Sequence, residues 1–129
     1  MIAKGPFDVK ATPEPPFSES DGISFGRMLF NKTFTGALAA TSVVHMMAAR
    51  TPEPTSAAYV ALERVTGTLD GKTGTFALVH LGLSDRGEKS LRVSVVADSA
   101  SAELTGLRGE MQIDIVDGKH YYTFEYRFV

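Results

Sequence analysis

Two residues near the middle of the chain, Glu63 and His80, are of types and in settings that suit proton transfer. In the stretch around the first, Tyr59, Ala61, Glu63 and Val65 share one parity, and around the second, Phe76, Leu78 and His80 do. On extended chain each set lies on one face. The Asp70-Gly71 pair between them favours a tight hairpin, which folds the two faces onto each other. If Phe76 and Leu78 mark the inward face, a carboxylate and an imidazole enter a largely apolar interior. Unpaired, they would lose several kcal/mol of hydration there. Paired, they satisfy each other, and such surroundings move pKa values toward the range of acid–base work. A structural reading stands beside the chemical one: Glu63 in an ion pair with Arg27 or Arg64, and His80 as a hydrogen-bonded core histidine.

A ligand in that interior is expected to meet Tyr59, Arg27, Phe76, Leu78, Tyr122 and Phe124. Tyr59, Tyr122 and Tyr126 offer hydroxyls, although tyrosines on strands usually pack with the hydroxyl satisfied. His45 and His120 read as rim or surface residues. With no H-x-H or H-x-x-x-H spacing, no metal site is expected. No cofactor is expected either. Gly67 to Thr73 has only three residues between its glycines where a phosphate-binding loop needs four, and it joins two strands rather than opening a helix. There is no G-x-G-x-x-G.

The elements that must hold these residues are strands. Asp21-Gly22, Asp70-Gly71, Arg86-Gly87 and Asp117-Gly118 punctuate the chain with hairpin signals. Between them eight strands are expected, over Ala3–Thr12, Ser24–Phe34, Ala37–Ala49, Ala57–Leu69, Thr73–Ser84, Lys89–Asp98, Gly109–Val116 and Lys119–Phe128. The last is the plainest, with Tyr122, Phe124, Tyr126 and Phe128 on one face. The third, rich in alanine and methionine, also suits a short helix. Ser99–Leu107 reads as a loop with at most one helical turn. Pro13–Pro16 and Pro52–Pro54 must be connections, because proline cannot donate to a ladder, and the first is expected to stay mobile as far as Gly22. Closing the sheet removes its exposed edges, so the 129 residues are expected to form one domain, an all-β, eight-stranded antiparallel up-and-down barrel; a two-sheet sandwich is the alternative.

Composition narrows the partners. Thirteen Lys and Arg against fifteen Asp and Glu give a formal charge of −2 with no single-sign block, which argues against nucleic acid. No segment approaches a membrane-spanning helix and no secretory leader is apparent, so a cytoplasmic location is expected and Asn31-Lys32-Thr33 carries no glycosylation meaning. The absence of cysteine excludes disulfides, thiolate metal sites and cysteine nucleophiles. With His80 inside, Val60, Leu62, Ala77, Val79 and Leu81 fall outside, an apolar stripe that suggests a homodimer or higher homo-oligomer. Met46 and Met47 either extend that stripe or plug the barrel.

The run from Tyr59 to Phe76, with His80, the closing Gly118-Lys119-His120-Tyr121-Tyr122-Thr123-Phe124-Glu125-Tyr126, Gly26-Arg27-Met28 and Lys32-Thr33-Phe34, resembles a bacterial family, domain of unknown function 3224 (DUF3224). The resemblance implies a barrel like that of allene oxide cyclase, with eight antiparallel strands around an apolar cavity. It supplies no catalytic residues, so Glu63 and His80 remain candidates from their own setting. Three functions stay open: a module binding a small hydrophobic or amphipathic molecule, an isomerase or cyclase using Glu63 and His80, and a non-catalytic oligomeric interaction protein.

Overall fold

The computed structural model describes residues 1–129. Nine strands form one antiparallel sheet: β1 (Ile2–Pro13), β2 (Ser18–Ser20), β3 (Ile23–Phe34), β4 (Leu38–Arg50), β5 (Ala57–Leu69), β6 (Lys72–Asp85), β7 (Glu88–Val95), β8 (Leu107–Val116) and β9 (Lys119–Phe128). Their order is β1-β9-β8-β7-β6-β5-β4-β3-β2, and β1 also pairs with β3, which closes eight long strands into an up-and-down barrel. One strand makes both joins. Ile2–Phe7 of β1 pairs with β9, and Phe7–Pro13 pairs with β3, in register Phe7↔Phe34 to Pro13↔Met28.

The hairpins follow from local chemistry. Asp21-Gly22, Asp70-Gly71, Arg86-Gly87 and Asp117-Gly118 each place two successive residues at positive φ, the requirement of a type I′ turn. The ambiguous third segment is a strand, since both of its edges are paired along their length, from Ser24↔Arg50 to Phe34↔Ala40 and from Leu38↔Leu69 to Arg50↔Ala57. Ladder bonds from two neighbours outweigh the helical preference of its alanines. The segment after the proline cluster is ordered, contrary to expectation: Ser18–Ser20 pairs with Ile23–Phe25, and the Phe17 and Phe25 rings meet at 6.3 Å. Within Ser99–Leu107 lies one 3-10 turn, Ala102–Leu104.

One end of the barrel is packed solid. Phe34, Leu38, Leu69, Phe76, Tyr122 and Phe124 are fully buried there, and Leu104 of the 3-10 turn is buried against the end as a plug. Burying each such side chain stabilises by about 1.5–3 kcal/mol. Phe76 and Phe124 stack at 5.9 Å, and Phe124 stacks on Tyr126 at 5.4 Å. The Tyr122 hydroxyl donates to the Thr35 carbonyl (2.6 Å) and accepts from the Leu38 amide (2.9 Å), fastening the β3–β4 turn under β9.

The other end is open. Met28, Phe30, Met46, Tyr59 and Ile113 point inward by parity but are only half-buried, and inward-facing Leu91 and Ile115 are exposed. The wall is also incomplete there. β7 and β8 pair only at Val93↔Met111 and Ser94↔Glu110, leaving Glu88–Arg92 and Gln112–Val116 without cross-strand partners on the facing edges. No helix is long and apolar enough to cross a membrane.

Candidate functional site

Between the packed end and the open end lies a layer of polar side chains that four consecutive strands contribute. Lys32 on β3 lies opposite Ser42 on β4, Ser42 opposite Val65 on β5, and Glu63 on β5 opposite Leu78 on β6, with His80 two residues on. Each strand-to-strand step from Ser42 onward climbs by two residues, which the tilt of barrel strands levels into one ring. All four side chains face inward. Glu63 is 1% exposed, His80 4%, Ser42 5% and Lys32 8%.

Glu63 is the hub. Its Oε1 accepts from His80 Nε2 at 2.7 Å and from Lys32 Nζ at 3.2 Å, and its Oε2 accepts from the Ser42 hydroxyl at 2.6 Å. Burial alone would raise the carboxyl's pKa. The His80 hydrogen bond, the Lys32 ammonium and the Ser42 hydroxyl, joined by the His80 ring whenever it is protonated, outweigh it and hold Glu63 below its ordinary value. Lys32 in turn lies over the Phe7 ring at 5.0 Å and the Phe34 ring at 5.8 Å, so aromatic faces take up the part of the cation that Glu63 does not.

Because an ionised carboxylate only accepts, His80 Nε2 must carry its proton toward Glu63. The other ring nitrogen, Nδ1, has no partner in the protein. Since no side-chain nitrogen or oxygen sealed from solvent is left unbonded, Nδ1 reaches accessible space inside the barrel. Above this layer stands Tyr59. Its ring lies where a Cβ on Gly82 would be, 2.1 Å from Cε1, so only glycine at 82 lets the ring lie against the wall. Burial first, then the negative charge of Glu63, raises the Tyr59 pKa and keeps the hydroxyl a proton donor. At the rim a cavity of about 270 Å³ is lined by inward-facing Gly26, Met28, Met46 and Ala48 together with the charged Glu14, Arg27 and Arg50. A Cβ on Gly26 would meet nothing within 4 Å.

The structure brings together Glu63 and His80, with Tyr59 above them, and separates the other expected residues. Arg27 is exposed on the outward face of β3, with its guanidinium 4.7 Å from the Phe17 ring centroid, and it also borders the rim cavity; Arg64 is exposed on the outer face. Neither is the ion-pair partner of Glu63. Lys32 is, facing inward with Phe30 and Phe34 on β3. Phe76, Leu78, Tyr122 and Phe124 belong to the packed core. Tyr126 donates to Asp70 and is pushed up to about 12, by burial first and then by that carboxylate. His45 is exposed on the outer wall and His120 is half-buried at the rim, as the sequence suggested. Met46 faces the lumen and Met47 the outside. No three His, Cys, Asp or Glu side chains converge as a metal site would require.

These features define a class: a closed antiparallel β-barrel, sealed at one end, open at the other, and crossed by a buried layer of charged side chains. The chain belongs to the family described as protein of unknown function (DUF3224), whose model matches residues 3–126. A crystal structure of a DUF3224-family protein with unknown function from Shewanella oneidensis MR-1 is similar to it along its whole length, at 42% identity and a TM-score of 0.95, with 100% of this chain and 98% of that one covered. A comparison with curated proteins finds no match.

Proposed function

We propose that the chain binds a small, uncharged amphipathic molecule in the open half of the barrel. The observation that carries this reading is the unpartnered Nδ1 of His80, reaching accessible space beneath half-buried apolar walls. A few oriented polar groups under apolar walls are the usual make-up of a small-molecule site. Met28, Phe30, Met46 and Ile113 would meet the apolar body, while His80 Nδ1 and the Tyr59 hydroxyl would meet the polar end. The charge balance favours a neutral ligand. Glu63 is matched by Lys32 inside the layer, so a charged group pressed against the layer would stand without a counter-charge there, a loss of several kcal/mol, while Glu14, Arg27 and Arg50 lie only at the rim.

Nile red, a neutral apolar fluorophore, serves as a probe. The wild-type protein should bind it saturably with a blue-shifted emission. Gly26→Phe, whose Cβ would meet nothing within 4 Å and whose ring would fill the rim, should abolish that binding while the fold persists. Unchanged binding by the plugged variant would contradict the reading.

The same pair supports a second reading, an isomerase or cyclase. A carboxylate that fixes Nε2–H leaves Nδ1 of the neutral imidazole as a base facing the lumen. Glu63, whose oxygens are already taken by three donors, then positions His80 rather than touching substrate. Deuterium from D2O should enter a bound ketone beside its carbonyl with the wild type and fail to do so with His80→Gln. No exchange by the wild type across a ketone series that binds would remove this reading and leave the first intact.

A further inference from the structure

Besides His80, a second imidazole faces the lumen. His120 is half-buried and shares its parity on β9 with Tyr122, Phe124 and Tyr126, all of them buried, so its ring points inward. It lies opposite Phe7 on β1 and opposite Ile115 on β8. The Phe7 ring meets the imidazole at 5.2 Å and the Lys32 ammonium at 5.0 Å, which ties His120 to the edge of the buried polar layer. Neither of its ring nitrogens has a partner in the protein. Because no sealed side-chain nitrogen is left unbonded, both reach accessible space.

The two histidines frame one space. In the ring of eight long strands β6 and β9 are three apart, so His80 and His120 stand on well-separated walls, and an interior of this size holds one small ligand between them. The strands that separate them are β7 and β8, whose ladder stops at Val93↔Met111 and leaves the wall unpaired beyond it. Leu91, Ile113 and Ile115 face inward along that stretch, an apolar surface between two polar groups.

We infer that His120 is a second polar contact of the lumen and that the ligand is an apolar alcohol carrying a further hydroxyl or carbonyl group. The inference rests on the lumen being the binding site. His80 donates Nε2–H to Glu63, so its Nδ1 only accepts and selects a hydroxyl at one end of the ligand. His120 is not constrained in this way. A neutral imidazole has one donor and one acceptor nitrogen, so it meets either a second hydroxyl or a carbonyl. The apolar body lies between the two, against Leu91 and Ile113. A ligand with one polar end would bury the His120 nitrogens without partners, whereas one with two satisfies both imidazoles.

Isothermal titration calorimetry with 1-decanol, 1,6-hexanediol and 1,10-decanediol tests it. His120→Phe keeps an aromatic ring against Phe7 and removes both nitrogens; it should weaken diol binding about tenfold and leave 1-decanol unchanged. His120→Gln, which still hydrogen-bonds, should keep most of the diol affinity, and His120→Leu replaces the phenylalanine variant should that one fail to fold. Diols that do not bind the wild type, or that bind it and the folded apolar variant equally, would overturn the inference, while 1-decanol binding leaves the lumen reading in place. Failure of 1-decanol to bind the wild type would remove both.

Discussion

At the level of single residues, Glu63 is where burial, charge and hydrogen bonding meet. Glu63→Gln leaves the Lys32 ammonium buried without its counter-charge, and a broken buried pair costs about 3–5 kcal/mol; denaturant unfolding should show a loss of that size. Adding Lys32→Met to Glu63→Gln should recover part of it, because both charges are then gone. The sign of the pH effect follows from the lowered pKa. The folded carboxyl stays ionised below its ordinary value of 4.5, so in that window the unfolded chain binds more protons. Stability contributed by Glu63 is therefore present above about pH 4.5 and is lost as pH falls through the lower folded value; Glu63→Gln should flatten this acid limb of the unfolding midpoint. Tyr126 acts at the opposite end. Its pKa, raised from 10.0 to about 12, gives stability that is present below pH 10 and lost as pH rises toward 12, and Tyr126→Phe should remove that alkaline loss.

Glu63 and His80 were legible as a pair because each lies among same-parity apolar residues on either side of an Asp-Gly turn. Lys32 and Arg27 were not, for one physical reason. On β3 both faces carry apolar residues, Phe25 and Leu29 outward, Met28 and Phe30 inward, so alternation alone does not say which cation enters the barrel. Only the cross-strand register decides it.

Among the elements, β7 and β8 are the least secured. Over Glu88–Arg92 and Gln112–Val116 the facing edges lack partners, so amide protons directed into that gap should exchange orders of magnitude faster than those between β5 and β6, which pair from Ala57↔Ser84 to Leu69↔Lys72. Residue-resolved hydrogen exchange measures this directly, and equal protection across the two seams would contradict the open wall. The Tyr122 contact should prove stronger than its single hydroxyl suggests. Tyr122→Phe strands the buried Leu38 amide as well as the Thr35 carbonyl, at a cost of about 1–3 kcal/mol in denaturant unfolding. Hairpin positions could be read from the turn pairs, whereas β2 could not. Ser18–Ser20 has neither apolar alternation nor β-branched residues, and its strand character is imposed by the edge of β3.

For the molecule as a whole, closure rests on a pairing distant in sequence, Phe7 with Phe34, and on a first strand shared between two neighbours. Turn spacing and the aromatic last strand implied a barrel. They did not fix which end is filled, because that depends on Leu104 from a segment with little pattern of its own folding over one end. Solid packing at one end and half-buried walls at the other give the molecule one interior space to use.

The three histidines make that space directly observable. His80 faces the lumen beneath the open end, His45 is exposed on the outer wall, and His120 lies at the rim against Phe7. With the protein labelled at histidine nitrogen and titrated with 1-decanol, the Nδ1 resonance of His80 should shift saturably while that of His45 stays fixed. Saturable binding that moves His45 and leaves His80 in place would put the ligand on the outer wall and contradict the account.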